Sequence, residues 1–381
     1  MSLRLGWLAE VLGDSPTLKL SAQAKELIKA GEPVINLTAG EPDFPTPEPV
    51  LAAARAALED GRIGYTPSAG IAELRELVAA YYTQTTGQDY AASEVIVSNG
   101  AKQVLYNVLS VLLNQGDRVA IPVPYWVTYP AQVAALRGET VPIRPSSGWK
   151  VTAADLERDG AAGCRALILN SPNNPTGAVH DRAELEDIAD FCRRHEFFIL
   201  LDEIYEDLIY SDAGYVSLVQ VAPDLRHRIV RITGLSKSYA MTGWRVGFGL
   251  AARETIEAMT RLQSHSTSNI CAIAQKAALA AFDCRPQVEA MRQAFWRRRD
   301  LLVEGLGGLP GVGFAVPEGA FYLMLDCREL LGESAGSDGC WHLASALLER
   351  QNLATIPGKP FAATGCLRLS FATGEDELRE A

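Results

Sequence analysis

No apolar run in this 381-residue sequence approaches the roughly 18 residues that a membrane-crossing helix requires, so no bilayer span is expected. A secretory leader pattern is also missing from the first thirty residues, where Arg4, Glu10, Asp14, Lys19 and Lys25 interrupt every apolar stretch. Positive charge is in short supply: 35 Lys and Arg stand against 46 Asp and Glu, a net charge of −11. That balance argues against a nucleic-acid or anionic-membrane partner, though not against a local cationic pocket for a small anion. None of the seven cysteines forms a C-x-x-C pair. Cys164, Cys192, Cys271 and Cys327 lie in or beside apolar segments and read as reduced core thiols of a cytoplasmic protein. His180, His195, His227, His265 and His342 are scattered without H-E-x-x-H spacing, so no metal site is expected. There is no G-x-x-x-x-G-K-[ST] loop and no G-x-S-x-G elbow. The glycines of "GLGGLPGVG" (305–313) follow a helical pattern rather than a strand and include Pro310, which makes them a turn.

What the sequence does have is a rhythm of short apolar runs followed by helical patterns, the mark of an α/β fold with a largely parallel sheet. Strands are predicted at Val95–Val97, Arg118–Ile121, Ala166–Asn170, Phe198–Asp202, Ile229–Ile232 and Val246–Leu250. Helices are predicted over 48–59, 71–83, 101–113, 126–136, 182–195 and 253–262, each with apolar residues three or four apart. From Pro286 to about Leu306 runs one long helix whose Arg297-Arg298-Arg299 cluster reads as a solvated face. Strands at Phe314–Val316, Ala320–Leu325 and Leu367–Phe371, with a helix at 339–351, indicate a second, smaller α+β domain. The expected division is a large domain over 46–285 and a small one built from 1–45 and 286–381. The final "GEDELREA" reads as the first turns of a helix, with a short C-terminal piece expected beyond it.

Ligands of open parallel sheets sit beyond the carboxyl ends of the strands, and those ends carry an unusual set here. In order they are "SNGAKQ", "PVPYW", "SPNNPTG", "DEIY" and "TGLSKS". Taken singly, each has a plain structural reading: "NNPTG" as a turn, Asp202 as a helix cap, Trp126 and Tyr205 as packing, Lys237 as a surface lysine. Taken together they match the needs of pyridoxal phosphate. Lys237 is an amine able to form an imine with the aldehyde, its pKa lowered by the nearby Arg245. Asp202 is a carboxylate to keep the pyridine nitrogen protonated. Asn174 and Tyr205 are donors for the ring oxygen O3′, and Trp126 is an aromatic surface for stacking. Gly100, Ala101 and Lys102 open a helix whose N–H groups suit a phosphate, with Arg245 as a guanidinium fork.

The whole chain resembles the fold-type I pyridoxal-phosphate aminotransferases of class I/II, in particular the bacterial aspartate aminotransferases. The resemblance is carried by "LTAGEPDF", "GYTPSAGIAELRE", "SNGAKQ", "PYWVTYP", "NSPNNPTGAV", "LDEIYEDLIY", "GLSKSYAMTGWRVGF", "PEGAFY" and "CLRLSFAT", in the family's order. It implies an aspartate-aminotransferase-like fold, with a mainly parallel seven-stranded sheet in the large domain. It implies that Lys237 is the Schiff-base lysine that also shuttles the proton, and that Asp202 partners the pyridinium. By the same resemblance Tyr205 and Asn174 bind O3′, and Trp126 stacks on the ring. Arg245, Gly100, Ala101 and Lys102 then cradle the phosphate, and Arg368 clamps the substrate α-carboxylate with help from Asn174 and the Gly40 backbone. Tyr65 would reach the phosphate of a neighbouring subunit, which implies a homodimer. Where many members have a serine, three residues before the lysine, this chain has Gly234, and Ser236 with the helix start is expected to make good the lost donor.

Substrates are expected to be amino acids and 2-oxo acids. The partner-subunit arginine of better-known members is not evident in "SHSTSN" (264–269). Lys102 resembles the lysine with which one bacterial subgroup holds a distal carboxylate, near Ser15 and Thr17 of "SPTLKL"; pairing with the phosphate is the alternative. The expected reaction is L-aspartate with 2-oxoglutarate, by a ping-pong mechanism. Prephenate or aromatic substrates are the first alternative and a pyridoxal-phosphate β-lyase the second.

Overall fold

The computed structural model describes residues 5–13, 16–212 and 214–381. In chain order its strands are β1 (Ile35–Asn36), β2 (Val95–Asn99), β3 (Arg118–Pro122), β4 (Glu139–Ile143), β5 (Ala166–Asn170), β6 (Phe198–Asp202), β7 (Ile229–Gly234), β8 (Val246–Leu250), β9 (Gly313–Phe314), β10 (Tyr322–Asp326), β11 (Leu353–Ala354), β12 (Ile356–Pro357) and β13 (Cys366–Ser370). The chain is an α/β protein built on a seven-stranded sheet of order β2-β8-β7-β6-β5-β3-β4. All pairings are parallel except those of β8, which runs antiparallel between β2 and β7.

This one reversal matters for the site. The carboxyl ends of β2, β5, β6 and β7 share an edge with the amino end of β8, so Asn99, Asn170, Asp202 and Gly234 converge with Arg245, which immediately precedes β8. The central strands are buried on both faces, as expected of parallel strands covered by helices. Alternation sends Leu167, Leu169, Ile199 and Leu201 against Leu185, Ile188 and Phe191 of the helix Arg182–Arg194. It sends Ile168, Leu200, Val230 and Ile232 against Val104, Leu105 and Val108 of the helix Ala101–Leu112.

A separate antiparallel sheet of order β12-β13-β10-β9 forms from the C-terminal part, and β1 pairs with β11 beside it. In β10 and β13 the residues Leu323, Leu325, Leu367 and Leu369 join a core with Phe295, Phe321 and Phe371. The opposite face of the same pair carries Met324 across from Arg368 and Tyr322 across from Ser370.

Every predicted strand of the large sheet is present, with ends moved by at most two residues. β4 was not predicted: "ETVPI" carries Pro142, which an edge strand tolerates and a central one does not. The predicted helix 126–136 begins only at Thr128, leaving Trp126 in the turn before it. Helices at Pro16–Lys29, Ala153–Arg158 and Ala272–Leu279 are additional.

Two expectations are corrected. Of the arginine cluster in the helix Arg285–Leu306, only Arg297 faces solvent. Arg298 is bidentate to Asp43 at 2.7 and 2.9 Å and lies over the Phe44 ring, while Arg299 donates to the Pro317 carbonyl at 2.8 Å. Their charge is tied inward because the helix packs against the N-terminal segment and the turn before β10. Cys271 is exposed rather than core, whereas Cys164, Cys192 and Cys327 are buried and free as expected. Among the described residues no helix is long and apolar enough to cross a membrane, and no group of three or more His, Cys, Asp or Glu could hold a metal.

Candidate active site

Lys237 stands three residues past β7, in the turn that leads on to β8. It is half-buried, and its Nζ donates to the Gly40 carbonyl at 2.5 Å. Burial pushes its pKa down to about 8; Glu41 opposes the shift, while Arg245, Arg368 and Lys102 add to it. A lysine in this state yields a free amine close to neutral pH, as a nucleophile must.

Asp202, at the end of β6, is 3% exposed. It accepts from the Tyr129 hydroxyl at 2.7 Å and from the Ile204 N–H at 3.3 Å, and no cation pairs with it among the described residues. Burial raises its pKa to about 6, against the lowering effect of those two hydrogen bonds. Tyr129 was not singled out in the sequence. Its place three residues after Trp126, in the same "PYWVTYP", was the available signal.

Arg245 holds the other end of the edge. Its backbone is left-handed (φ 57°), a conformation that costs a non-glycine residue roughly 1–2 kcal/mol. Its guanidinium donates to the carbonyls of Thr242 at 3.0 Å and Asn99 at 3.1 Å. A Cβ on Gly100 would lie 2.5 Å from Arg245 Nη2, so only glycine lets the fork rest against the start of the helix Ala101–Leu112. The first N–H groups of that helix, at Ala101 and Lys102, have no partner within it.

The glycines of β7 and β8 close the cradle from behind. Gly234 faces Gly247 across the pair, and a Cβ at 234 would lie 2.7 Å from the Val246 carbonyl oxygen. Glycine at this position therefore fits a strand pairing that leaves no room for a Cβ. Ser236 is buried beside Lys237. A Cβ on Gly247 would sit 2.2 Å from Ala101 N and Gly100 C. Gly247→Ala is thus expected to force β8 away from the helix start and to destabilise the fold by about 1–3 kcal/mol, read as a lower urea midpoint.

On the opposite wall Arg368 is 4% exposed. It donates from Nη1 to Asn174 Oδ1 at 3.2 Å and from Nη2 to the Thr38 carbonyl at 3.0 Å, while its buried Nε has no partner. Asn174 is buried too, and its side-chain Nδ2 donates to nothing among the described residues. The Tyr205 and Tyr322 hydroxyls meet at 3.1 Å, and the Arg368 guanidinium lies 4.5 Å from the Tyr322 ring centre. Half-buried Trp126 sets its edge against Tyr129, and Lys102 Nζ lies 4.8 Å from the Trp126 ring centre. Tyr65 is 96% exposed, outside this cluster. Ser15 and the side chain of Thr17 lie outside the described residues.

Lys102, Lys237, Arg245 and Arg368 thus gather at one edge, near the buried Asp202, and none of the five has an ion-pair partner among the described residues.

Residues 32–381 match the family described as aminotransferase class I and II. The aspartate aminotransferase of Geobacillus stearothermophilus is 43% identical over 377 residues, covering 97% of this chain and 95% of the relative. The aspartate/prephenate aminotransferase of Cereibacter sphaeroides is 42% identical, covering 96% and 94%. The solved structure of Thermus thermophilus aspartate aminotransferase with maleate superposes with a TM-score of 0.93 at 39% identity, covering 100% of this chain and 98% of that one. The fold is therefore that of the aspartate aminotransferases, and the chain belongs to the class I and II aminotransferases as a pyridoxal-phosphate-dependent enzyme.

Proposed function

We propose that this enzyme transfers the amino group of L-aspartate to 2-oxoglutarate, in a ping-pong cycle with pyridoxal 5′-phosphate held at the sheet edge. The observation that carries this reading is the set of four cations without ion-pair partners among the described residues, gathered near the buried Asp202, with the exposed Glu41 the carboxylate that acts on Lys237. A dianionic phosphate, a substrate with two carboxylates and a ring with a protonated nitrogen would compensate all five groups. The cradle that a Cβ on Gly100 or Gly247 would fill, and the free Asn174 Nδ2, fit the same cofactor.

In this reading Arg245, Ser236 and the N–H groups of Gly100, Ala101 and Lys102 bind the phosphate. Trp126 covers one side of the ring, and Asn174 and Tyr205 donate to its oxygen. Asp202, fixed by Tyr129, holds the proton at the ring nitrogen. Bound there, pyridoxal phosphate supplies a ring that withdraws electrons from the substrate Cα. Lys237 Nζ binds the cofactor and moves the proton released at Cα; its pKa of about 8 suits a base at neutral pH. Arg368 clamps the α-carboxylate, with Asn174 and the Gly40 backbone lining the same pocket.

We assign Lys102 to the distal carboxylate, because its ammonium rests over Trp126 with no ion-pair partner among the described residues. Lys102→Ala is expected to lower kcat/KM for aspartate about 10- to 100-fold, the range of a charged hydrogen bond, and to leave alanine unaffected. Equal losses on both substrates would make it a phosphate ligand. A prephenate-accepting pocket is the second reading, favoured by the aspartate/prephenate relatives.

We further assign residues 46–285 to a cofactor-binding domain and 1–45 with 286–381 to a small domain, with the long helix from Arg285 packed in the small-sheet core. The exposed Tyr65 supports a homodimer in which it reaches the partner's phosphate. Seven free thiols, six of them buried, support a cytoplasmic enzyme. The test of the reaction is a half-reaction screen of the loaded enzyme with aspartate, glutamate, alanine and phenylalanine. Aspartate and glutamate are expected to bleach the cofactor absorbance, and 2-oxoglutarate to restore it. Bleaching by phenylalanine alone would remove the dicarboxylate reading, and a β-lyase would release product without needing the oxo acid.

A further inference from the structure

Tyr322 closes "PEGAFY" and enters the site at the start of β10, yet none of the roles assigned above uses it. Its placement is heavily determined. The N–H groups of Glu318 and Gly319 both donate to the Gly177 carbonyl at 2.9 Å, and Ala320 N–H donates to the Leu208 carbonyl at 2.9 Å. Gly177 (φ +72°) has no room for a side chain, since a Cβ would lie 2.6 Å from Pro317 Cβ and 2.8 Å from the Tyr322 carbonyl oxygen. Arg299 holds the same turn through the Pro317 carbonyl. The turn thus locks "NNPTG", the segment after β6 and β10 together, and it delivers a phenol that is 1% exposed into the site.

That phenol has two neighbours with assigned work. Its hydroxyl meets the Tyr205 hydroxyl at 3.1 Å, and its ring lies under the Arg368 guanidinium at 4.5 Å. The charged and titratable groups around it are Arg368, Tyr205 and Glu41. A phenol has one proton to donate. If Tyr205 gives its proton to the cofactor's ring oxygen, the contact between the two hydroxyls can persist only with Tyr322 as donor.

We propose that Tyr322 is a positioning residue with two partners: its hydroxyl donates to Tyr205, directing the Tyr205 proton at the cofactor's ring oxygen, and its ring holds Arg368 in its carboxylate-binding orientation. This rests on the pyridoxal-phosphate reading above. Two predictions separate the partners. Tyr322→Phe keeps the ring and removes the proton, so Tyr205 becomes a weaker donor. A weaker hydrogen bond on the ring oxygen leaves more negative charge beside the Lys237 nitrogen, which then holds its own proton to higher pH. Tyr322→Leu also removes the nearer of the two rings against Arg368, leaving Phe361 at 5.2 Å.

The experiment is a pH titration of the visible absorbance of the loaded enzyme, alongside kcat and KM for aspartate, in wild type, Tyr322→Phe and Tyr322→Leu. Circular dichroism establishes that each variant is folded. In Tyr322→Phe the absorbance midpoint is expected to rise by roughly half a pH unit, the worth of one hydrogen bond, with KM unchanged. In Tyr322→Leu the midpoint rises as well, and KM increases about three- to tenfold, as for a lost cation–π contact. A Tyr322→Phe midpoint equal to wild type would overturn the hydroxyl role, and an unchanged KM in Tyr322→Leu the ring role. If wild type itself gives no pH-dependent visible band, the pyridoxal-phosphate reading fails first and this proposal with it.

Discussion

Replacing Lys237 by alanine is expected to lower turnover of the loaded enzyme by about 10⁴-fold, the upper range for loss of a positioned base, while the fold persists. The pKa of Lys237 is brought down to about 8, chiefly by burial. No other described side chain near it combines a free amine with reach to the same point: Lys102 rests over Trp126, and the remaining cations are guanidinium groups that do not deprotonate. The same burial makes a second, opposite prediction about stability. The folded-state pKa lies below the ordinary 10.5, so the unfolded chain binds more protons between about pH 8 and 10.5. Stability of the apo chain should therefore rise with pH across that window. The uncharged Lys237→Met should melt higher than wild type at pH 7, with the difference closing as pH approaches 10.5. A variant that is inactive yet more stable separates a catalytic loss from a folding defect; equal turnover in Lys237→Ala would refute the assignment.

The second large effect is expected at Arg368. Its guanidinium is nearly inaccessible, is anchored by Asn174 and the Thr38 carbonyl, and has a buried Nε without a partner. A buried cation of this kind is stabilised when a carboxylate arrives, and truncating one member of such a pair typically costs 2–5 kcal/mol. Arg368→Leu should therefore lower kcat/KM about 10²- to 10³-fold. The loss should be similar for aspartate and alanine, because the group recognised is the α-carboxylate. Arg368→Lys should recover little, since an ammonium cannot reproduce the planar fork. A loss confined to aspartate would instead place Arg368 on the distal carboxylate and exchange its role with that of Lys102.

Much of this site is legible in the sequence, because chemistry-bearing residues follow short apolar runs with the pattern of buried strands. "DEIY", "SPNNPTG" and "TGLSKS" each land at the carboxyl edge, and Asp202, Asn174 and Lys237 come together there. Arg245 was identified by its proximity to Lys237 in sequence, but the reason it joins the edge, the reversed direction of β8, is a property of pairing that periodicity does not reveal. Long-range contacts were the main loss. Tyr129 against Asp202 and Tyr322 against Tyr205 span 73 and 117 residues; "PYWVTYP" and "PEGAFY" mark the segments that carry these phenols, but not the distant partner each one meets. Arg298 and Arg299 were misread for a related reason. A run of arginines on a helix looks solvated until the segments carrying Asp43 and Pro317 fold over it. β4 was lost to its proline, which an edge strand tolerates.

The central claim is that the cofactor is held by Lys237 at this edge. The most direct measurement is borohydride reduction of the protein loaded with pyridoxal phosphate, followed by proteolysis and mass mapping of the labelled peptide. The account predicts stoichiometric label on Lys237 alone, in the peptide containing "GLSKSYAMTGWR". Label on Lys102 or another lysine, or no label in a protein that still turns over, would contradict it.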